Sequence, residues 1–182
     1  MRKLLDSLYL ASGWAAAFFI AAICALVVGQ VCLNLIDRIS GVVTGTAIGL
    51  TIPSYADFTG FFLAAASFLA LAHTLRQGAH IRVTLVISHL PGPIARALEF
   101  WCIFAAAAIS IYFSWYTIIL VRESYEFHDL SPGMIAVPLW IPQSAMLIGL
   151  LILSIALVDE FIGLLRGRPP SYHGHEQEGS GE

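Results

Sequence analysis

Charge is what this sequence has least of. Only 12% of its 182 residues are charged, against 58% hydrophobic, and soluble domains carry about 25% charged residues. So small a supply cannot cover a soluble surface for a chain of this length, so lipid is the expected solvent. The basic residues form no dense tract, which leaves nucleic-acid binding without an electrostatic footprint. Cysteine is scarce as well. Cys24, Cys32 and Cys102 show no Cys-x-x-Cys spacing, arguing against a disulfide framework or a zinc site; they are read as small buried hydrophobes. No serine–histidine–acid constellation and no phosphate-cradling glycine loop is present. His73, His80 and His89 cluster around one loop, whereas haem ligation needs paired axial ligands, usually deep in different spans. No internal repeat can be aligned, and repeats mark many secondary-transporter cores. No cofactor, no metal and no catalytic residue is therefore expected.

Long apolar runs are what the sequence does have. A helix needs about 20 mostly apolar residues to cross about 30 Å of hydrocarbon, and four segments meet that length: residues 12–36, 55–75, 94–121 and 137–165. The expected fold is an all-α membrane protein with four transmembrane helices in one domain, residues 1–168. Met1-Arg2-Lys3 resembles the start of a signal peptide, but the apolar run after it, from about Leu8 to Ile36, far exceeds a signal h-region. It is taken as an uncleaved first span. Residues 169–182, rich in Pro, His, Gly, Ser and Glu, cannot bury apolar surface and read as a disordered tail.

Orientation follows from the cations. With the N-terminus inside, Arg2, Lys3, Arg76, Arg82, Arg96, Arg166 and Arg168 are cytoplasmic, and only Arg38 and Arg122 lie outside. Short loops rich in Lys and Arg resist translocation, so both termini are expected in the cytoplasm, and the even number of spans gains support. The outer segment 37–54 is long and apolar, but its glycines and β-branched residues make a stable helix doubtful. It reads either as an interfacial arm on a partner or the membrane surface, or as a plain connection.

Ionisable groups inside a membrane are costly and are functional candidates by default. No span has an obvious charge at its middle. Asp57 opens the second span. Glu99 lies one turn into the third, where Arg96 is near enough on the same face to pair. The segment from His73 to Thr84 carries the densest chemistry, including Arg76, Gly78, His80 and Arg82. Gly78 either ends the second helix or lies within a continued one. The segment is read either as a basic turn on lipid headgroups or as a docking site for another subunit. Pro138-Leu139-Trp140-Ile141-Pro142 opens the fourth span; prolines are tolerated in a first turn, where the missing donor had no partner. Alanine runs at 15–17, 64–66 and 105–108 permit close helix approach.

With Asp57 opening the second span, Arg76-Gln-Gly78-Ala-His80-Ile81-Arg82-Val83 after it, and Pro138-Leu139-Trp140 opening the fourth, the chain resembles the small membrane subunit (DctQ-like) of tripartite ATP-independent periplasmic (TRAP) transporters. The resemblance runs from about Leu8 to Leu165. It departs at Asp57, where glutamate is commoner, and at Thr84, where an aspartate is often found. It implies a small non-catalytic subunit of the bacterial inner membrane, with a large elevator-type membrane subunit, a periplasmic substrate-binding protein and lipids as partners. It further implies sodium-coupled uptake of an organic anion such as a dicarboxylate or sugar acid. Asp57, Arg76, Gly78, His80, Arg82, Glu99, Pro138 and Trp140 are the expected partner or lipid contacts. Two rival readings carry their own signatures. The membrane anchor of a quinone-linked oxidoreductase would show a Soret band if it held haem, and a self-sufficient oligomeric channel or exporter would give flux when reconstituted by itself.

Overall fold

The computed structural model describes residues 2–46, 48–77 and 92–165. It contains four helices: α1 (Arg2–Thr44), α2 (Tyr55–Arg76), α3 (Gly92–Glu126) and α4 (Trp140–Leu165). Each contains a stretch long and apolar enough to cross a membrane. At 1.5 Å per residue, α2 is about 33 Å long and matches the hydrocarbon thickness, whereas α1 is about 65 Å long and must tilt or project beyond it.

α1 corrects the expected boundary at Ile36. The helix runs eight residues further, through Asp37 and on to Thr44. Extending an existing helix adds a hydrogen bond for each residue fixed, and the propensity cost of Val or Thr is only about half a kcal/mol. The break falls at Gly45, whose φ of +72° is the left-handed conformation that closes a helix. α4 shows the reverse error. It begins at Trp140, so Pro138 is not in its first turn; Pro138 bridges Leu130 in a short antiparallel pairing just before the helix. Pro142 does lie in that first turn.

The helices are arranged as an open row in the order α1, α2, α4, α3. α2 packs on α1 and α4, and α4 packs on α2 and α3. α1 meets α4 only slightly, and α3 makes no comparable contact with α1 or α2. Small residues set these approaches. Gly13 lies against the His73 ring and Gly149 against the backbone of Phe68. Each alanine run supplies buried residues: Ala16, Ala65, Ala66 and Ala107. Phe19 meets Phe62 at 5.5 Å between α1 and α2, and Phe100 meets Phe161 at 4.9 Å between α3 and α4.

A row leaves more surface uncovered than a closed bundle. Only 11% of the most apolar stretch of α1 is buried within the chain, against 28% for α3 and for α4. Leu4, Trp14, Phe18, Trp101 and Trp115 are all more than 60% exposed. Cys24, Cys32 and Cys102 are free and also exposed on this surface, which corrects their reading as buried hydrophobes. In lipid the uncovered surface of a helix is itself apolar, so apolar character does not imply burial within the chain.

Candidate functional site

Polar groups gather at three levels of the row. One end holds the start of α1 and the ends of α2 and α4. There Arg76, the last residue of α2, pairs with Asp6 of α1 and lies 3.8 Å from Asp159 of α4. Its guanidinium also sits 5.2 Å from the ring centroid of Tyr9. A cation in the last turn of a helix is favoured by the macrodipole. All three charged side chains are partly exposed, at 26% for Arg76, 49% for Asp6 and 34% for Asp159. In water each such pair contributes only about 0.2–1 kcal/mol. Tyr9 beneath them is 2% exposed, and its hydroxyl has no hydrogen-bond partner among the described residues. Leaving such a group unsatisfied costs about 1–3 kcal/mol. His73 and Gln77 complete this end, with their side-chain nitrogens 3.3 Å apart.

The middle level is a buried serine cluster between α3 and α4. Ser154 and Ser114 donate to the carbonyls of Leu150 and Ser110 on their own helices. The Ser110 hydroxyl is thereby left to donate across the interface to Ser154, at 2.8 Å. Such interhelical bonds average about 0.6 kcal/mol in membranes. A separate cavity of about 150 Å³, between α1, α2 and the start of α4, is lined by Phe19, Phe58, Phe62, Ile141 and other apolar residues. It offers no counter-charge and no donor for a carboxylate.

The opposite end ties the connecting segments to the helices. Gln30, 5% exposed on α1, accepts the Ile52 N–H at 2.8 Å and donates to the hydroxyl of Thr51 at 3.0 Å. Asp37 accepts the Gly49 N–H at 2.7 Å, so residues 49–52 lie back against α1. Ser54 has a φ of 56° and accepts the Ile135 N–H on its hydroxyl at 2.9 Å. Gly133 sits so near Ser54 and Asp57 that a Cβ there would overlap the Asp57 carboxylate. The 127–139 segment is closed by Ser131 N–H to Val137 and Leu139 N–H to Asp129, both 2.9 Å. Tyr125 packs on Trp140 at 5.8 Å and stacks on His128.

The expected contact residues are therefore divided between two ends. Arg76 is at the first. Asp57, Pro138 and Trp140 are at the second. Gly78, His80 and Arg82 lie outside the described residues, as does the 169–182 tail. Glu99 lies in α3, but its side chain and that of Arg96 are likewise outside what is described. α2 ends at Arg76 with Gln77 at its cap. Asp6, Tyr9 and Asp159 were missed as partners of Arg76. Asp159 carried a signal, since it is an ionisable residue within the fourth apolar run. Among the described residues no group of three or more His, Cys, Asp or Glu is placed to hold a metal.

Four long apolar helices in an open row, with polar clusters at the helix ends, define a multi-pass membrane protein with much uncovered apolar surface. Residues 39–167, more than two thirds of the chain, match the family model described as "Tripartite ATP-independent periplasmic transporters, DctQ component". The chain belongs to that family and is a small membrane component of a TRAP transporter. No curated protein and no solved structure matches it.

Proposed function

We propose that this chain is the non-catalytic scaffold of its transporter, held in the bacterial inner membrane with both termini in the cytoplasm. The observation that carries the proposal is the open helix row in a DctQ-family chain. A row of four helices presents broad apolar faces to a larger membrane neighbour. Its polar groups gather at the ends and in one interhelical cluster, and the apolar cavity between α1, α2 and α4 has nothing to hold an anion. Substrate and coupling-ion sites then belong to the large elevator-type subunit, and a periplasmic binding protein delivers the substrate, an organic anion such as a dicarboxylate or sugar acid, with sodium coupling.

In this reading the end with Arg76, and with it Gly78, His80, Arg82 and Glu99, faces the cytoplasm and contacts the large subunit or lipid. The end with Asp57, Gly133, Pro138 and Trp140 is periplasmic and meets the binding protein. The excess of cations in the cytoplasmic segments supports this orientation.

The test is joint replacement of Arg76 and Arg82 by alanine in the three-part transporter. Co-purification of the large subunit and substrate uptake should both fall. Unchanged uptake at normal membrane levels would contradict the assignment.

A further inference from the structure

The apolar runs of the two edge helices are out of register along the row. α1 carries no charged residue between Asp6 and Asp37, and α3 carries none between Glu99 and Arg122. Contacts between helices fix how these runs line up. Phe19 of α1 packs on Phe62 of α2, and both line one cavity with Ile141 and Ala145 of α4. Tyr125 of α3 packs on Trp140 of α4, and Arg122 lies one turn back from Tyr125 towards the Arg76 end. Phe19, near the middle of the α1 run, is therefore level with Arg122, the end of the α3 run. Nearer the Arg76 end the offset repeats. Asp6, where the α1 run begins, pairs with Arg76, which lies close to Asp159. Phe161, just beyond Asp159 on α4, packs on Phe100 and Phe104, so Asp6 is level with a point inside the α3 run. The middles of the two runs are thus displaced by about 16 Å along the helix axes, at 1.5 Å per residue.

We propose that the row lies slanted in the bilayer, tipped in its own plane by about 30°, an angle within the range of membrane helices. The Gly133 ends of the helices lean towards the α1 edge, and the surface offered to lipid or to a membrane neighbour is a diagonal belt across the row. Neighbouring axes are about 8–10 Å apart, which sets α1 and α3 about 27 Å apart, so a slant of about 30° brings the middles of both runs to one depth. No upright placement does this. With the α1 run centred, Arg122 and its partner Glu126 enter the hydrocarbon with side chains 77% and 54% exposed. With the α3 run centred, Asp6, Arg76 and Asp159 enter it instead. Charge in hydrocarbon is costly, and the slant takes both groups out together. It also accounts for helix length. Projected at about 30°, the α1 run spans about 40 Å and the α3 run about 30 Å, between the thickness of the hydrocarbon and that of the whole bilayer. A membrane neighbour with upright helices crosses this row at the slant angle rather than lying along it.

The slant rests on helix register and not on the scaffold reading, so it is tested on this chain without the other components. Two single-tryptophan chains are made, one keeping Trp14 of α1 and one keeping Trp101 of α3, with the other tryptophans replaced by Phe. Both side chains are exposed, at 72% and 66%. Each chain is reconstituted in bilayers whose lipids carry a spin label at one of two depths on the acyl chain, and the ratio of quenching by the two labels gives the depth of the indole. Trp14 and Trp101 should lie within about 5 Å of each other in depth, whereas in an upright row they differ by about 19 Å. Polarised infrared absorption of the unaltered chain in oriented bilayers should return a mean helix tilt of about 30°, and this reports even if a tryptophan variant fails to fold. A larger depth difference, or a mean tilt below about 20°, would overturn the proposal.

Discussion

Gly149 of α4 presses on the backbone of Phe68 in α2: a Cβ at Gly149 would lie 2.5 Å from the Phe68 carbonyl carbon. The two central helices of the row thus touch main chain to main chain, with no room for a methyl group. Gly149→Ala should force them apart and destabilise the fold by about 1–3 kcal/mol, the usual range for an overpacked contact. Gly60→Ala, on α2 where nothing lies within 4 Å of the added carbon, should not destabilise the fold and should add up to about 1 kcal/mol through helix propensity. Unfolding in mixed micelles with increasing SDS measures both.

Arg76 joins three helices through one guanidinium. Two half-exposed ion pairs and a cation–π contact make the cost of Arg76→Ala about 1–2 kcal/mol. Arg76→Lys should recover only part of this, because a lysine ammonium cannot fork between two carboxylates and stack on Tyr9. A double-mutant cycle between Arg76→Gln and Asp6→Asn should return a coupling of about 0.5–1 kcal/mol. Additive losses would show that the pair contributes nothing.

The order of the row can be read by cross-linking. The Ser110 and Ser154 hydroxyls are 2.8 Å apart. With Cys24, Cys32 and Cys102 replaced by serine, Ser110→Cys with Ser154→Cys should form a disulfide under mild oxidation. Cysteines placed at Trp14 and Trp115, on the two edge helices, should not. Ser154→Ala should cost about 0.6–1.7 kcal/mol, between the average and the largest value measured for interhelical hydrogen bonds in a membrane protein.

Gly133→Val should open the other end selectively. The added side chain displaces Asp57 and breaks the Ile135 N–H bond to Ser54. Proteolysis within residues 127–139 should speed up while the large subunit still co-purifies, and uptake that depends on the binding protein should fall. Loss of co-purification instead would show that this end does not act as a separate docking surface.

The four helices were legible because length and apolar composition alone decide a membrane span. Helix ends were less so. Asp37 and Arg38 mark where charge begins, but a helix continues past charge until something such as Gly45 at φ +72° stops it. Which face of each helix meets protein was not legible at all. A helix in lipid is apolar all round, so periodicity does not separate buried Tyr9 from exposed Trp14. The same physics misplaced Cys24, Cys32 and Cys102. At the candidate site, Arg76 and Asp57 stood out by charge at span ends. The partners Asp6 and Asp159 are 70 and 83 positions from Arg76 in the chain, and only the packing of α1 and α4 beside α2 brings them together.

The most direct measurement is a pull-down of this chain from native membranes, paired with uptake in cells that lack it. If the chain is the scaffold of a tripartite transporter, a membrane protein of about a dozen spans elutes with it, and uptake of the transporter's organic anion stops without it. A chain that elutes by itself, or uptake that continues in its absence, would contradict the account.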